Sequence, residues 1–526
     1  MDRSLNPSEL PLYYAGWIGI NLSAFYKYFV EQYDLIDNNP SLLKSLQDIG
    51  PGWTFLSRPK DVFDVEWTSW KHYVKISSFY ILFQFVVSEI IRKSHPSILK
   101  YWYILSSMIF VSVFMGLKQM IIILVQPIIF ASIIFLGGNK IVIWVTSIIL
   151  LWSYNSLKYK HFFFYFLDHE NLYDEEVYLL LYSIAWVELR CVSFCIDYVD
   201  KQEKTKSKKG KVKTTFYQDT IDMFSYVLYL PLLYLGPIML YEDFEKSFHV
   251  KDVKLYPKLK RFTTDMVLYF IYSFLMDLAF HYIYFFALQE RIEMIRQMSS
   301  LALCGGGLWM GFQFHLKYVI SYGTTGAFAR LDNLEPPPTP RCIARIHVYS
   351  QMWRYFDVGL YKFLLKYIYK PGYATLSQYI KLSKIMYKVL ASFSTFFFIF
   401  MWHGTVRSIF IWTVLNYIGI LLEYSSKAIS VTDGYKRFKK NWLKTEANET
   451  RFVAVLCSPL LVVSAISNFY LFGGGQVGDL FFSLLIWPAP YNISIVLIAV
   501  YCCSHVSMSL QHIPSRTDRP TMEKIK

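Results

Sequence analysis

Charged side chains are scarce in this 526-residue chain: Asp, Glu, Lys and Arg supply 17% of it, against 54% hydrophobic residues. Soluble domains average about a quarter charged residues, so a water-soluble globule is excluded. Cysteine is also sparse, with seven in all: Cys191, Cys195, Cys304, Cys342, Cys457, Cys502 and Cys503. No CxxC pair occurs among them, which argues against a disulfide scaffold or a cysteine zinc site. Most lie in apolar stretches, where a free thiol behaves as a small hydrophobe. GxSxG, P-loop and HExxH motifs are missing, so nucleophile-elbow, nucleotide-triphosphatase and zincin chemistries lack their signatures. No internal repeat is visible, which disfavours an inverted-repeat transporter.

What the chain has in quantity is long apolar runs. They fall near 11–30, 73–91, 99–117, 119–136, 140–157, 174–197, 221–240, 264–288, 299–321, 385–402, 406–424, 452–472 and 482–508. A run of about 18 or more such residues reads as a membrane-crossing helix. The expected fold class is an all-α polytopic integral membrane protein. Roughly ten to twelve transmembrane helices are expected, with one or two re-entrant or amphipathic elements beside them. The opening "MDRSLNPSEL" carries little positive charge, and the run after it has the length of a span, so the first helix is expected to be a retained anchor.

The net charge of +14 is concentrated: "KQEKTKSKKGKVK" (201–213) holds seven lysines against one glutamate. Two readings stand, a contact to anionic lipid and a solvated cytosolic linker obeying the positive-inside rule. Nucleic acid is not an expected partner. With that run in the cytosol, the chain divides into N-terminal membrane helices (1–200), a Lys-rich cytosolic linker (201–215), a second membrane bundle (216–510) and a cytosolic tail (511–526). The loop 31–72 and the segment 159–172 then fall in the lumen. Pro231 and Gly236-Pro237 interrupt 229–240, marking a candidate re-entrant element. "LEPPPTPRC" (334–342) reads as an extended loop. Residues 351–371 have apolar positions at helical spacing but contain Arg354, Asp357, Lys362 and Lys366, so an amphipathic or re-entrant helix is expected there.

An ionisable group in lipid costs on the order of 3 kcal/mol, so it normally faces a cavity or a partner. This rule selects His403, Asp357, the Asp277–His281 pair and the Glu188–Arg190 pair. The two pairs read as structural contacts facing the bundle, although Asp277–His281 is also the feature a transporter would use. His403 ends "FFFIFMWHGT" (396–405) and reads in two ways: a histidine at the water interface, or a general base at the end of a tunnel.

Several stretches resemble the membrane-bound O-acyltransferase family, and within it the Hedgehog acyltransferase branch. They are "ARLDNLEPPPTPRC" (329–342), "MWRYFDVGLYKFLLKYIYKP" (352–371) and "MWHGT" (401–405), supported by "DVEWTSW" (64–70), "LYLPLLYLGPI" (228–238), "LNYIGILLE" (415–423) and "SNFYLFGGGQVG" (467–478). The resemblance implies the family's fold around a central tunnel, with its catalytic core in 216–510. It makes His403 the catalytic histidine and Asp357 its acidic partner. It also implies a protein-cysteine N-palmitoyltransferase of the endoplasmic reticulum membrane, taking palmitoyl from palmitoyl-CoA to the N-terminal cysteine of a secreted Hedgehog-type precursor. Trp353, Arg354, Asn416, Arg341 and Lys317 are the residues expected to serve the acyl-CoA. Cys342 stands where this branch has been associated with a thiolate-ligated haem b; an ordinary loop cysteine is the other reading. An acceptor that is a lipid or another hydroxyl compound is the alternative for the same fold. One departure is Thr405, where relatives often carry a second glycine.

Overall fold

The computed structural model describes residues 8–159, 174–207, 216–249, 254–486 and 490–511. Of the predicted lumenal segment, linker and tail, residues 160–172, 208–215 and 512–526 lie outside the described residues. The N-terminal half contributes α1 (Leu10–Asn38), α2 (Val65–Ser94), α3 (Leu99–Phe110), α4 (Leu117–Phe135), α5 (Lys140–Tyr159) and α6 (Asp174–Ser207). After these come α7 (Phe216–Val227), α8 (Tyr241–Ser247), α9 (Leu255–Ala279), α10 (Ser300–Leu331), α11 (Tyr349–Tyr355), α12 (Val358–Leu364) and α13 (Lys370–Tyr379). The chain continues through α14 (Lys384–His403), α15 (Arg407–Ser430), α16 (Glu446–Phe472), α17 (Gly474–Ile486) and α18 (Pro490–Leu510). Among the described residues the one sheet is a two-residue antiparallel ladder in the loop after α1, with Ile49 opposite Asp61 and Gly50 opposite Lys60.

Nine helices among the described residues are long and apolar enough to cross a membrane. Two more long helices, α1 and α10, are not among these nine, and they pack on each other within the same bundle. The protein is a polytopic membrane protein. Its large exposed side chains, such as Ile121, Ile128, Ile141 and Phe270, form the outward faces that lipid solvates. The centre is α6, whose most apolar window is 83% buried.

Predicted span 221–240 is not one helix. The helix α7 stops at Val227, and 228–240 runs irregularly through the protein interior, buried along its whole length. Pro231 and Pro237 break the helical ladder there, and the freed carbonyls must find donors because lipid offers none. Arg190 donates to Val227 O at 3.0 Å and also to Leu232 O. Tyr73 donates to Leu230 O at 3.1 Å, Thr325 to Gly236 O at 2.7 Å and Tyr226 to Met239 O at 2.6 Å. Arg190 therefore anchors this segment and is not the partner of Glu188, which accepts from Ser147 at 2.6 Å. The second pair also divides. The Asp277 carboxylate meets Lys60 at 2.5 Å and Lys71 at 3.0 Å, both from the segment leading into and starting α2. His281 takes the N–H of Trp53 on Nε2 at 2.8 Å, so Nδ1 carries the proton and donates to the Asp277 carbonyl at 2.8 Å. The apolar run 482–508 is likewise shared between two helices, α17 and α18.

Candidate active site

Two breaks in helices position the two expected catalytic side chains. Residues 351–371 are interrupted at Asp357, which is the N-cap of α12: its Oδ1 accepts the Leu360 N–H at 2.8 Å. An N-cap carboxylate satisfies one of the four unpaired donors of a helix start. Gly359 lets this start press onto the irregular segment, since a Cβ there would lie 2.2 Å from Ile238 O. The other oxygen, Oδ2, accepts from the Tyr322 hydroxyl of α10 at 2.8 Å. Burial pushes the Asp357 carboxyl above the usual aspartate range, while the hydrogen bonds from Leu360, Tyr322 and Gly359 pull the other way.

His403 is the last residue of α14. Gly404 follows with φ of 118°, a conformation that glycine alone adopts readily, and residues 404–406 turn the chain into α15. Asn155 of α5 donates to the Met401 carbonyl at 3.0 Å, holding this end. The imidazole stands edge-on between two indoles, with ring centres 4.8 Å from Trp402 and 5.0 Å from Trp412. Trp402 meets Trp186 at 5.4 Å, and Trp186 meets Tyr322 at 6.3 Å. An aromatic chain thus runs from the histidine to the tyrosine that holds Asp357.

His403 and Asp357 line one largely apolar cavity of about 1080 Å³. Trp353, Lys317 and Cys342 share its wall. Asn416 does not; it is buried behind Trp353, accepting the indole N–H at 3.2 Å, and it donates to Ser467 at 3.2 Å. Arg341 and Arg354 line a second, smaller pocket of about 220 Å³ with Pro338, Thr339 and Lys362. Tyr361 belongs to both walls. The Arg341 guanidinium lies 4.2 Å from the centre of the Tyr355 ring, and that of Arg354 lies 5.8 Å from the centre of Tyr361. Lys317 sits apart from these arginines, buried between Asp64 at 2.8 Å and Glu66 at 2.6 Å.

Sequence reasoning passed over Tyr322, Trp186, Trp412 and Asn155. The signal for Tyr322 was present: Tyr318 and Tyr322 are one turn apart, which puts both on one face of a helix.

Cys342 is exposed on the loop after the proline run, at the cavity wall. Among the described residues no group of three or more His, Cys, Asp or Glu side chains could hold a metal ion. Haem ligation through sulfur takes one axial thiolate, and among the described residues nothing beyond the lone thiol of Cys342 marks a haem site. No chemical step is assigned to a haem.

A polytopic helical membrane protein with an imidazole and a carboxyl on one interior cavity is the class defined by fold and site. Residues 145–440 match the membrane-bound O-acyltransferase (MBOAT) family. That is more than half of the chain, which belongs to this family. It is 31% identical over 305 residues to the protein-cysteine N-palmitoyltransferase Rasp of Drosophila melanogaster, covering 58% of this chain and 57% of the relative. It is 27% identical over 341 residues to the protein-cysteine N-palmitoyltransferase HHAT of Mus musculus, covering 64% and 66%. A third relative, the HHAT-like protein of Mus musculus, is 23% identical over 379 residues, covering 72% and 71%. The matches to the first two relatives thus span less than two thirds of those proteins.

Proposed function

We propose that this protein is an acyltransferase that moves a palmitoyl group from palmitoyl-CoA to the N-terminal cysteine amine of a secreted Hedgehog-type protein at the endoplasmic reticulum membrane. The observation that carries the proposal is the shared wall of two unlike pockets: an apolar cavity holding His403 and Asp357 meets a basic pocket at Tyr361. An acyl-CoA has the same two halves. Its phosphates suit Arg341, Arg354 and Lys362, because guanidinium forks bind phosphate oxygens in pairs. Its acyl chain suits the apolar cavity. The names of the two N-palmitoyltransferase relatives supply the acyl group and the acceptor class.

The reaction is attack of an amine on a thioester. An α-ammonium has a pKa of about 7.7–8.0 and must lose a proton before its nitrogen can attack. His403 takes that proton as general base. His403 passes this first proton to solvent; as the C–N bond forms and the C–S bond breaks, the nitrogen gives up its second proton to the imidazole, which hands it to the CoA sulfur leaving with the electron pair. Asp357, anchored by Leu360 and Tyr322, accepts a hydrogen bond from the amine and orients it. Positioning of both reactants in a dry cavity adds to the rate. The acyl-CoA side is assigned to the cytosol and the acceptor side to the lumen, following the Lys-rich run at 201–213.

The direct test is mass spectrometry of a peptide with N-terminal cysteine incubated with purified protein and palmitoyl-CoA. A stable amide-linked palmitoyl on the terminal nitrogen is the expected product. Transfer to a sterol or a lysophospholipid but not to the peptide would replace this proposal with the hydroxyl-acceptor reading.

A further inference from the structure

Asn155, near the end of α5, divides its amide between the fold and the cavity. Its Nδ2 donates to the Met401 carbonyl in the last turn of α14 at 3.0 Å. That bond fixes which way the amide points, because only its nitrogen can donate. Oδ1 is the free arm, 3.7 Å from where a Cβ on Gly404 would stand. Met401 and Gly404 bracket His403 in the chain, so this oxygen lies beside that residue.

Two observations mark Oδ1 as a contact for a bound molecule. Asn155 lines the cavity that holds His403 and Asp357, although the residue is only 9% exposed. No donor from the described residues reaches Oδ1, and the atom nevertheless keeps accessible surface. Its surroundings are apolar, with the Trp402 and Trp412 indoles on either side of the imidazole. An acceptor oxygen in such a setting gains most from a donor that the substrate brings.

The acyl half of palmitoyl-CoA brings none, since a saturated chain and a thioester carry no N–H or O–H. The amides of CoA travel with its head group, at the basic pocket. On the acceptor, the protons of the terminal amine go to His403 and Asp357. An N-terminal cysteine then has two donors left, the thiol and the first peptide N–H. A thiol donates weakly, whereas a peptide N–H drawn into an apolar cavity is costly unless it is paired. That nitrogen is three bonds from the terminal one, roughly 3 Å away. We propose that Asn155 Oδ1 accepts the first peptide N–H of the acceptor while the terminal nitrogen stands between His403 and Asp357. The inference rests on the transfer reading of those two residues. The contact favours a peptide acceptor over a sterol, whose hydroxyl comes with no second donor.

The test uses the full-length protein, an N-terminal cysteine peptide, and its counterpart with the first peptide N–H replaced by an ester oxygen. Transfer from palmitoyl-CoA gives kcat/KM for each, and displacement of a labelled peptide gives their affinities. Wild type is expected to favour the amide peptide by roughly ten-fold or more, the size of one buried acceptor left unpaired. Asn155→Leu removes Oδ1 and should bring the two peptides within about two-fold of each other; Asn155→Ala repeats the measurement with a smaller side chain. Asn155→Asp keeps an oxygen but loses the donor to Met401, so its rates should fall for both peptides while the preference stays. Equal use of the two peptides by wild type overturns the contact, and that result needs no variant to fold. A preference unchanged in Asn155→Leu and Asn155→Ala, with both peptides slowed alike, also overturns it and leaves Asn155 a structural residue. A wild type that binds the amide peptide with an Asn155-dependent preference yet transfers no acyl group supports the contact and overturns the transfer reading instead.

Discussion

Replacing Asp357 by asparagine separates its chemistry from its place in the fold. In the structure Oδ1 caps α12 through Leu360, and Oδ2 takes the Tyr322 hydroxyl. Asparagine caps about as well as aspartate, and alanine does not, at a cost of about 0.5–2 kcal/mol. Alanine also strands the buried Tyr322 hydroxyl, adding about 1–3 kcal/mol. Asp357→Ala should therefore lower stability by about 1.5–5 kcal/mol, confounding its loss of activity. Asp357→Asn keeps an oxygen for Leu360, and its amide can pair with a rotated Tyr322 hydroxyl, so thermal stability should stay within about 0.5 kcal/mol of wild type. Its rate should nonetheless fall by about 10- to 100-fold, the worth of a hydrogen bond to a charged acceptor. That range equals about 1.5–3 kcal/mol of activation free energy. Melting curves in detergent and initial rates of transfer at saturating acyl-CoA provide the comparison. An Asp357→Asn protein with near-normal turnover would make the carboxylate a capping residue and nothing more. A loss of activity that merely tracked the loss of stability across both variants would do the same.

Further outcomes are expected. Tyr322→Phe removes a donor that favours ionised Asp357, so the acid limb of the pH–rate profile should move to higher pH; an unmoved or lowered limb refutes the coupling. The sign for stability runs the other way from an ion-paired carboxylate: because Asp357 is raised, the native state holds a proton that the unfolded chain has released. Stability from this group is therefore lost as pH rises from the ordinary aspartate value to the folded one. Arg354→Gln should raise KM for acyl-CoA by roughly ten-fold or more, with KM for the acceptor unchanged; equal effects on both substrates would remove Arg354 from the head-group pocket. Arg190→Leu strands the carbonyls of Val227 and Leu232 and should destabilise the protein by about 3 kcal/mol or more, visible as a lowered melting temperature. An unchanged melting temperature would mean that other donors reach those carbonyls.

The membrane class was legible because apolar runs of span length have few other physical outcomes. His403 and Asp357 were legible for a related reason: a titratable group at membrane depth needs a cavity or a partner, and both line the same cavity. The break at 229–240 could be read from its prolines, but not the donors that fill it. Arg190, Tyr73, Thr325 and Tyr226 come from four different segments and meet only in three dimensions. The Lys317 environment was hidden likewise. From the sequence it was one cation among many near a membrane boundary; in the fold, the start of α2 supplies two carboxylates to it. Spacing along one helix identifies which face a residue shares, whereas pairing across helices depends on packing that single-chain periodicity does not encode. Asn416 illustrates the gap: its stretch pointed to the site, yet its side chain supports Trp353 from behind.

The most direct measurement is single-turnover transfer from palmitoyl-CoA to an N-terminal cysteine peptide by a His403→Ala protein, with acyl-CoA binding measured on the same sample. The account predicts acyl-CoA affinity close to wild type and a transfer rate lower by about 10²-fold or more. Transfer at the wild-type rate with His403 absent would contradict it.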